Sequence, residues 1–358
     1  MNDSDFQMGV RNLLMNCAKT QPDEKILIVG EDGENTFFEP ELAGDVARAA
    51  ERMGLQATHI LAKPVASANE FPESVLRAME ETDITIFFSR LGDQVRFLPS
   101  LGAGRNVMTY ILTRRHLAAS FGTANFSITE RTLEKLIEVI TAATHYRITC
   151  QGGTDMTSDL SQAETESDFV PFSLKLFPTM IFPPIGFRNL NGTLKISDFT
   201  LSSSTRAYDD SVLNISSPIL ADVHDGLMTD FDGDAGVIQT FQEQCIRAAG
   251  ITGGEPFRLN SWHTGVNPFT FFEGNPHDDL ERWGTVAYGS PRYTHIHAAG
   301  KDPGDLAIQL FDASISFDDE WIWKDGRFVF LDRPDMREML DANGQKNLTS
   351  DVRLDIGM

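Results

Sequence analysis

Three histidines in two short stretches offer the clearest chemistry in this sequence. "NSWHTGVNPF" carries His263 just ahead of Gly265 and Asn267, and "YTHIHAAGKD" carries His295 and His297. In an extended segment, side chains at i and i+2 leave the same face about 6–7 Å apart. Two imidazoles so placed can converge on one cation, and a His-x-His pair is a common metal-binding arrangement. A third ligand from a distant segment, such as His263, would complete a facial set with positions left for water or substrate. Asp302, Asp305 and Asp312 follow the pair closely. Asp312 or Asp305 could act as a carboxylate ligand, orient an imidazole or accept a proton. The ordinary alternative is a polar strand end whose histidines bind nothing.

A second candidate lies in "FSRLGDQVRFLP" (Phe88 to Pro99), where Arg90, Asp93 and Arg96 follow an apolar run. That places them at the carboxyl end of a predicted parallel strand, where open α/β folds bind ligands. Arg90 and Arg96 could hold the carboxylate or phenolate oxygen of a substrate. A helix start with a surface ion pair explains the same residues equally well. His59, His116, His145, His224 and His277 read as structural or surface residues. "DFDGDAG" lacks the spacing and final Glu of a calcium loop and reads as a hairpin turn. "VGEDGENTF" lacks the glycine spacing of a dinucleotide fingerprint, so no nucleotide cofactor is expected. No Gly-x-Ser-x-Gly elbow is present, which argues against a serine hydrolase.

The elements that must position these residues change character along the chain. "KILIVGED", "ATHILAKP", "DITIFFSR", "NVMTYIL" and "YRITCQGG" read as strands, alternating with helical "LAGDVARAAERMG", "ESVLRAMEET" and "TERTLEKLIEVITAAT". That order predicts a parallel sheet with helices on its faces, over residues 1–160. Beyond it, short segments punctuated by Gly and Pro predict a β-rich α+β domain over 161–358 that carries the metal site. One helix, "GVIQTFQEQCIRAAG", crosses this half. A cleft between the two domains is the expected place for a ligand.

Composition narrows the class. The chain has 358 residues, 41% hydrophobic and 23% charged, with a formal net charge of −22. Such a surface repels phosphate backbones and anionic lipid, so neither nucleic acid nor membrane is expected as a partner. Cys17, Cys150 and Cys245 lie too far apart for a disulfide framework. The opening "MNDSDFQMGVRNLL" does not read as a secretory signal, and no apolar run reaches the length of a membrane span. A cytoplasmic protein acting on a small molecule is expected, with a homo-oligomer among the possible assemblies.

Several motifs, in order, give the chain a family resemblance. "ITCQGGTDMTSDL", "FPPIGFRNLNGTLKI", "WHTGVNP" and "FDDEWIWKDGRFV" resemble segments of the superfamily that unites thermophilic aminopeptidase T-type metallopeptidases with 2,5-dihydroxypyridine ring-cleaving dioxygenases. The resemblance implies that His263, in the Gly-x-Asn-Pro motif, stands where the dioxygenases have an iron ligand. Their other two ligands form a His-x-Asp pair, and here that region reads "GDLAIQLFDASISFDD" without histidine. Matching Asp312 to the family's Asp puts Leu310 at the His position; a different gap puts Asp305 there, with Ala307 for the Asp. The paired metal glutamates of the aminopeptidases are also missing: Ile181 falls near one place and His263 takes another. His295-x-His297 lies upstream of the broken pair, in a segment implied to line the same site. A relocated triad of His263, His295 and His297 accounts for both the loss and the gain. The expectation is a mononuclear metalloenzyme, with Fe(II) or alternatively zinc, acting as a dioxygenase or a metallohydrolase. A non-catalytic member that binds a small molecule is the remaining alternative.

Overall fold

The computed structural model describes residues 3–96, 102, 104–160, 172–186, 189–203, 208–300, 306–349 and 352–358. Its contacts divide the chain into two compact units that interleave in sequence. The first includes Met1–Arg131 and Pro171–Met180, and the second Thr132–Val170, Ile181–Ser203 and Tyr208–Met358.

The first unit contains β1 (Lys25–Glu31), β2 (Gln56–Ala62), β3 (Ile84–Phe88), β4 (Arg105–Thr109) and β7 (Lys175–Phe177). They form one sheet in the order β2-β1-β3-β4-β7, with every pairing parallel. β1 and β3 are almost continuously apolar because helices cover a parallel sheet on both faces. The helix Leu42–Arg52 buries Leu42, Val46, Ala49 and Ala50 on one stripe and ends before Gly54, whose φ of 82° a side chain would disfavour. Leu27, Val29, Val75, Met79, Phe87 and Leu91 form a core against one side of the sheet.

Two local expectations are corrected here. The segment "YRITCQGG" is a strand, β5 (His145–Thr149), but it belongs to the second unit and not to the parallel sheet. Its glycines make a turn back into β6 (Asp155–Asp159): Gly153 has φ 112°, and the Cys150 amide donates to the Thr154 carbonyl over 3.1 Å. The parallel sheet takes β7 as its fifth strand. The Asp232-Gly233 pair, expected as a hairpin turn, instead leads into the helix Ala235–Thr252, which Asp234 caps, its carboxylate accepting from the Gly236 and Val237 amides at 2.9 and 3.1 Å.

The second unit is antiparallel throughout. It adds β8 (Ile185–Gly186), β9 (Leu190–Ser202), β10 (Leu213–His224), β11 (Leu227–Asp232), β12 (Glu255–Thr264), β13 (Tyr293–Gly300), β14 (Leu306–Phe311), β15 (Ser314–Phe317) and β16 (Glu320–Trp323). The path β10-β11-β12-β13-β14-β9 returns to its start because β9 also pairs with β10. These strands therefore close on themselves, and β6, β5, β15 and β16 extend the sheet from the other end of β9. Asp225 and Gly226, with φ of 48° and 72°, make the tight turn between β10 and β11.

β12 and β13 are the centre of this unit. On one face Trp262 packs on Tyr146, Phe182 and Phe317 at centroid distances of 5.5, 5.3 and 6.2 Å. On that same face the Thr294 hydroxyl meets the Thr264 hydroxyl at 2.9 Å across the strand pair. β12 is followed by Gly265, whose carbonyl accepts from the Trp323 indole at 2.9 Å. A Cβ at Gly265 would lie 2.2 Å from the Gly289 carbonyl carbon and 2.3 Å from that of Ser290. Backbone cannot retreat as a flexible side chain can. Gly265→Ala is therefore expected to destabilise the protein by about 3 kcal/mol or more. Urea unfolding of the two proteins side by side checks this, and equal midpoints would refute it.

Candidate metal centre

The pairing of β12 with β13 sets His263 directly opposite His295, and His297 follows two residues along β13 on the same face. All three are buried, at 2%, 3% and 3% exposure. Each offers a ring nitrogen, and these atoms all lie within 4.8 Å of one another. The rings of His263 and His295 stack at 5.0 Å and 12°, while His297 stands edge-on to both, at 5.3 and 5.0 Å. Among the described residues this is the one group of three or more His, Cys, Asp or Glu gathered in this way.

The donor set suits a metal ion. The His263 Nδ1–H donates to the Phe182 carbonyl over 2.8 Å, since a carbonyl can only accept. That bond fixes the tautomer and leaves Nε2 as the nitrogen with the lone pair, as in many metal-ligating histidines. Three nitrogens bound at about 2.0–2.1 Å to one ion in a tetrahedral or facial set lie roughly 3–3.5 Å apart. The rings would therefore have to close inward on an ion from their present spacing. The set is neutral and nitrogen-only, which suits iron(II) or zinc.

Aromatic rings hold His295 from the side away from His297. Tyr288 follows the helix Leu280–Ala287, and its ring lies 4.4 Å from that of His295. Tyr293, two residues before His295 on the same face, stacks on it at 5.9 Å and is itself wedged against Trp283 at 5.0 Å. Burial pushes the Tyr293 phenol well above its usual pKa, with Tyr288 adding to the effect, so it remains a donor. Its hydroxyl donates to Gln309, and the Gln309 amide donates to the Ala307 carbonyl at 2.8 Å. Gln309 lies opposite His295 on β14, so imidazole and amide share one row. Neither tyrosine nor Gln309 stood out in the sequence. The i+2 rule that joins His295 to His297 also reaches back to Tyr293, and that was the available signal.

The other expected site residues are placed differently. Asp312 sits in the turn after β14 with φ 49°, where Arg292 binds it at 3.0 Å and Arg353 at 2.6 Å. Its carboxylate is thus engaged by two guanidinium groups and is not in the histidine group. Asp305 lies outside the described residues, as does Asp302. Arg90 and Arg96 belong to the first unit. The Arg90 guanidinium grips the buried Glu31 carboxylate at 2.9 Å, donates to the Asn35 carbonyl at 2.7 Å and lies 3.9 Å from the centre of the Phe37 ring. Arg96 is 5% exposed and paired with Asp93 at 3.0 Å. Burial pushes the Asp93 carboxyl up, against the pull of Arg96 and the Tyr110 hydroxyl. Both arginines hold a carboxylate of their own chain.

Fold and site together define a protein with a parallel α/β unit, a closed antiparallel unit, and a buried three-histidine cluster in the latter. No protein-family model matches the sequence, and no curated protein matches it. Solved structures do. A 2,5-dihydroxypyridine dioxygenase from Pseudomonas putida KT2440 is similar over 94% of this chain and 99% of its own, with a TM-score of 0.62 at 12% identity. AmpT from Thermus thermophilus is similar over 91% of this chain and 99% of its own, with a TM-score of 0.50 at 10% identity. The fold implied by the sequence motifs is therefore the fold present, and these likenesses extend to the fold alone.

The two arginine contacts make a test of Asp312 possible. Asp312→Asn is expected to lower stability by about 1 kcal/mol, since the pairs are partly exposed, and to leave the metal content unchanged. Metal analysis of the purified variant beside its thermal melt checks both. A variant that folds normally yet loses metal would show that Asp312 serves the cluster after all.

Proposed function

We propose that this chain is a mononuclear metal-dependent enzyme whose ion is held by His263, His295 and His297. The observation that carries the reading is the convergence of three buried imidazoles within 4.8 Å on one face of β12–β13. Iron(II) is the proposed ion, and the reaction class is oxidation of a small, aromatic or anionic substrate by O2. When bound, the ion would supply Lewis acidity and, as iron, one-electron chemistry toward O2. Three protein ligands leave coordination positions for substrate and a second small molecule.

The chain's own residues have defined tasks in this reading. Phe182 holds the His263 tautomer, and Tyr288 and Tyr293 fix the His295 ring by packing. Burial of the cluster keeps bulk water from competing for the ion and strengthens each electrostatic interaction there. The similarity in fold to a protein described as a 2,5-dihydroxypyridine dioxygenase supports oxidation. Arg90 and Arg96 are already paired with carboxylates, and the proposal does not rest on them.

A zinc-dependent hydrolase is the second reading. The neutral nitrogen set favours it as much as iron, and AmpT shares the fold. Loading and oxygen uptake separate the two. Protein purified without chelator is expected to hold one ion per chain, and His263→Ala or His297→Ala far less than one. Iron content together with O2 consumption in the presence of 2,5-dihydroxypyridine or related dihydroxylated aromatic acids would support the oxygenase. Zinc without O2 uptake would favour hydrolysis. A chain that takes up neither ion would rule out both.

A further inference from the structure

The three histidines occupy three corners of a block formed by two adjacent strands, and the fourth corner is Ser261. In the β12–β13 register Ser261 opposes His297 as His263 opposes His295, so all four side chains leave one face. Ser261 is 6% exposed, and its hydroxyl has no hydrogen-bond partner among the described residues. Buried hydroxyls are normally bonded. One left over beside three imidazoles points to a ligand at the same place.

The neighbours of Ser261 leave space for such a ligand. Its row across the sheet runs Gly186, Ser261, His297 and Ala307, so the residues flanking serine and histidine bring at most a methyl group. Gly186 is partly exposed, so the row opens toward solvent at that end. The His263–His295–Gln309 row is bounded on its far side by the Tyr293 ring, and so offers no comparable room. Charge selects the ligand. Among the described residues no carboxylate belongs to the histidine group, and three neutral imidazoles alone leave the double charge of a divalent ion uncompensated in a buried setting, where charges must be paired.

We propose that the Ser261 hydroxyl donates a hydrogen bond to an anionic oxygen ligand that completes the coordination of the ion held by His263, His295 and His297. The site would then take small carboxylate, phenolate or hydroxamate oxygens, and Ser261 selects and positions them. The inference rests on the metal reading above and deepens it. It gives this acidic protein a way to hold an anion through a metal ion and a neutral hydroxyl.

The full-length chain loaded with cobalt(II) tests it, since the visible bands of the ion report both its binding and any change in its ligands. Wild-type protein and Ser261→Ala are each titrated with cobalt and then with acetohydroxamate, an oxygen chelator. Both are expected to bind one cobalt with equal affinity, while acetohydroxamate binds Ser261→Ala about tenfold or more weakly. Without metal, Ser261→Ala is expected to melt no lower than wild type, because the lost hydroxyl has no partner among the described residues. Equal acetohydroxamate affinities with cobalt bound would overturn the role of Ser261 and leave the metal site standing. Joint loss of cobalt and stability in the variant would overturn it too, by making Ser261 structural. A wild-type chain that binds no cobalt would remove the metal reading itself, and this inference with it.

Discussion

The antiparallel register between β12 and β13 is the constraint on which the site depends. His263 faces His295 only because Trp262 pairs with Ile296 and Thr264 with Thr294. A slip of one residue would turn one strand's histidines to the opposite face. Three features hold the register. The Thr264–Thr294 hydroxyl bond ties the strands on the far face. Trp262 is packed there among Tyr146, Phe182 and Phe317, so β12 cannot slide without opening that core. Gly265 lets the Gly289 backbone approach closely, which seats the helix that presents Tyr288 to His295.

Electrostatics divide the molecule's charged groups into those already satisfied and those still available. The chain has a formal net charge of −22, yet among the described residues no carboxylate belongs to the histidine cluster. Asp312 balances Arg292 and Arg353, Glu31 balances Arg90, and Asp93 balances Arg96. Pairing of this kind is how a fold tolerates buried or half-buried ions, and it removes them from service as ligands. What remains at the cluster among the described residues is neutral nitrogen and neutral oxygen. Such a set binds a cation by coordination, and in the proposed reading the compensating charge comes from the ligand.

The two units show two solutions to burying a sheet. The first covers a parallel sheet with helices, which is why β1 and β3 read as unbroken apolar runs. The second closes antiparallel strands on themselves, which removes most edges and leaves polar groups on one face only where something must use them. β13 is buried along its whole length, yet it carries two histidines and a threonine. Buried polar residues in the middle of a sheet are costly unless they are paired or serve a ligand. The threonine, Thr294, is paired with Thr264 of β12 across the strands, and the histidines form the cluster.

Much of this was legible in residue order. Apolar runs bounded by Gly and acids marked the strands of the first unit, and the spacing of His295 and His297 predicted a shared face because strand geometry is local. His263 could be joined to them only through motif order. The sequence could not show that "YRITCQGG" turns back at Gly153 into an antiparallel hairpin, since apolar strands look alike in either setting. Nor could it show that Asp312 and Arg90 are spent on ion pairs with residues distant along the chain, that the Arg96–Asp93 pair is buried, or that Ser261 completes the block. Alternation along a strand is written in neighbouring residues, so the chain alone decided which side chains share a face. Which strands lie side by side, and in what register, follows from packing over the whole unit, and only the tertiary structure decided that.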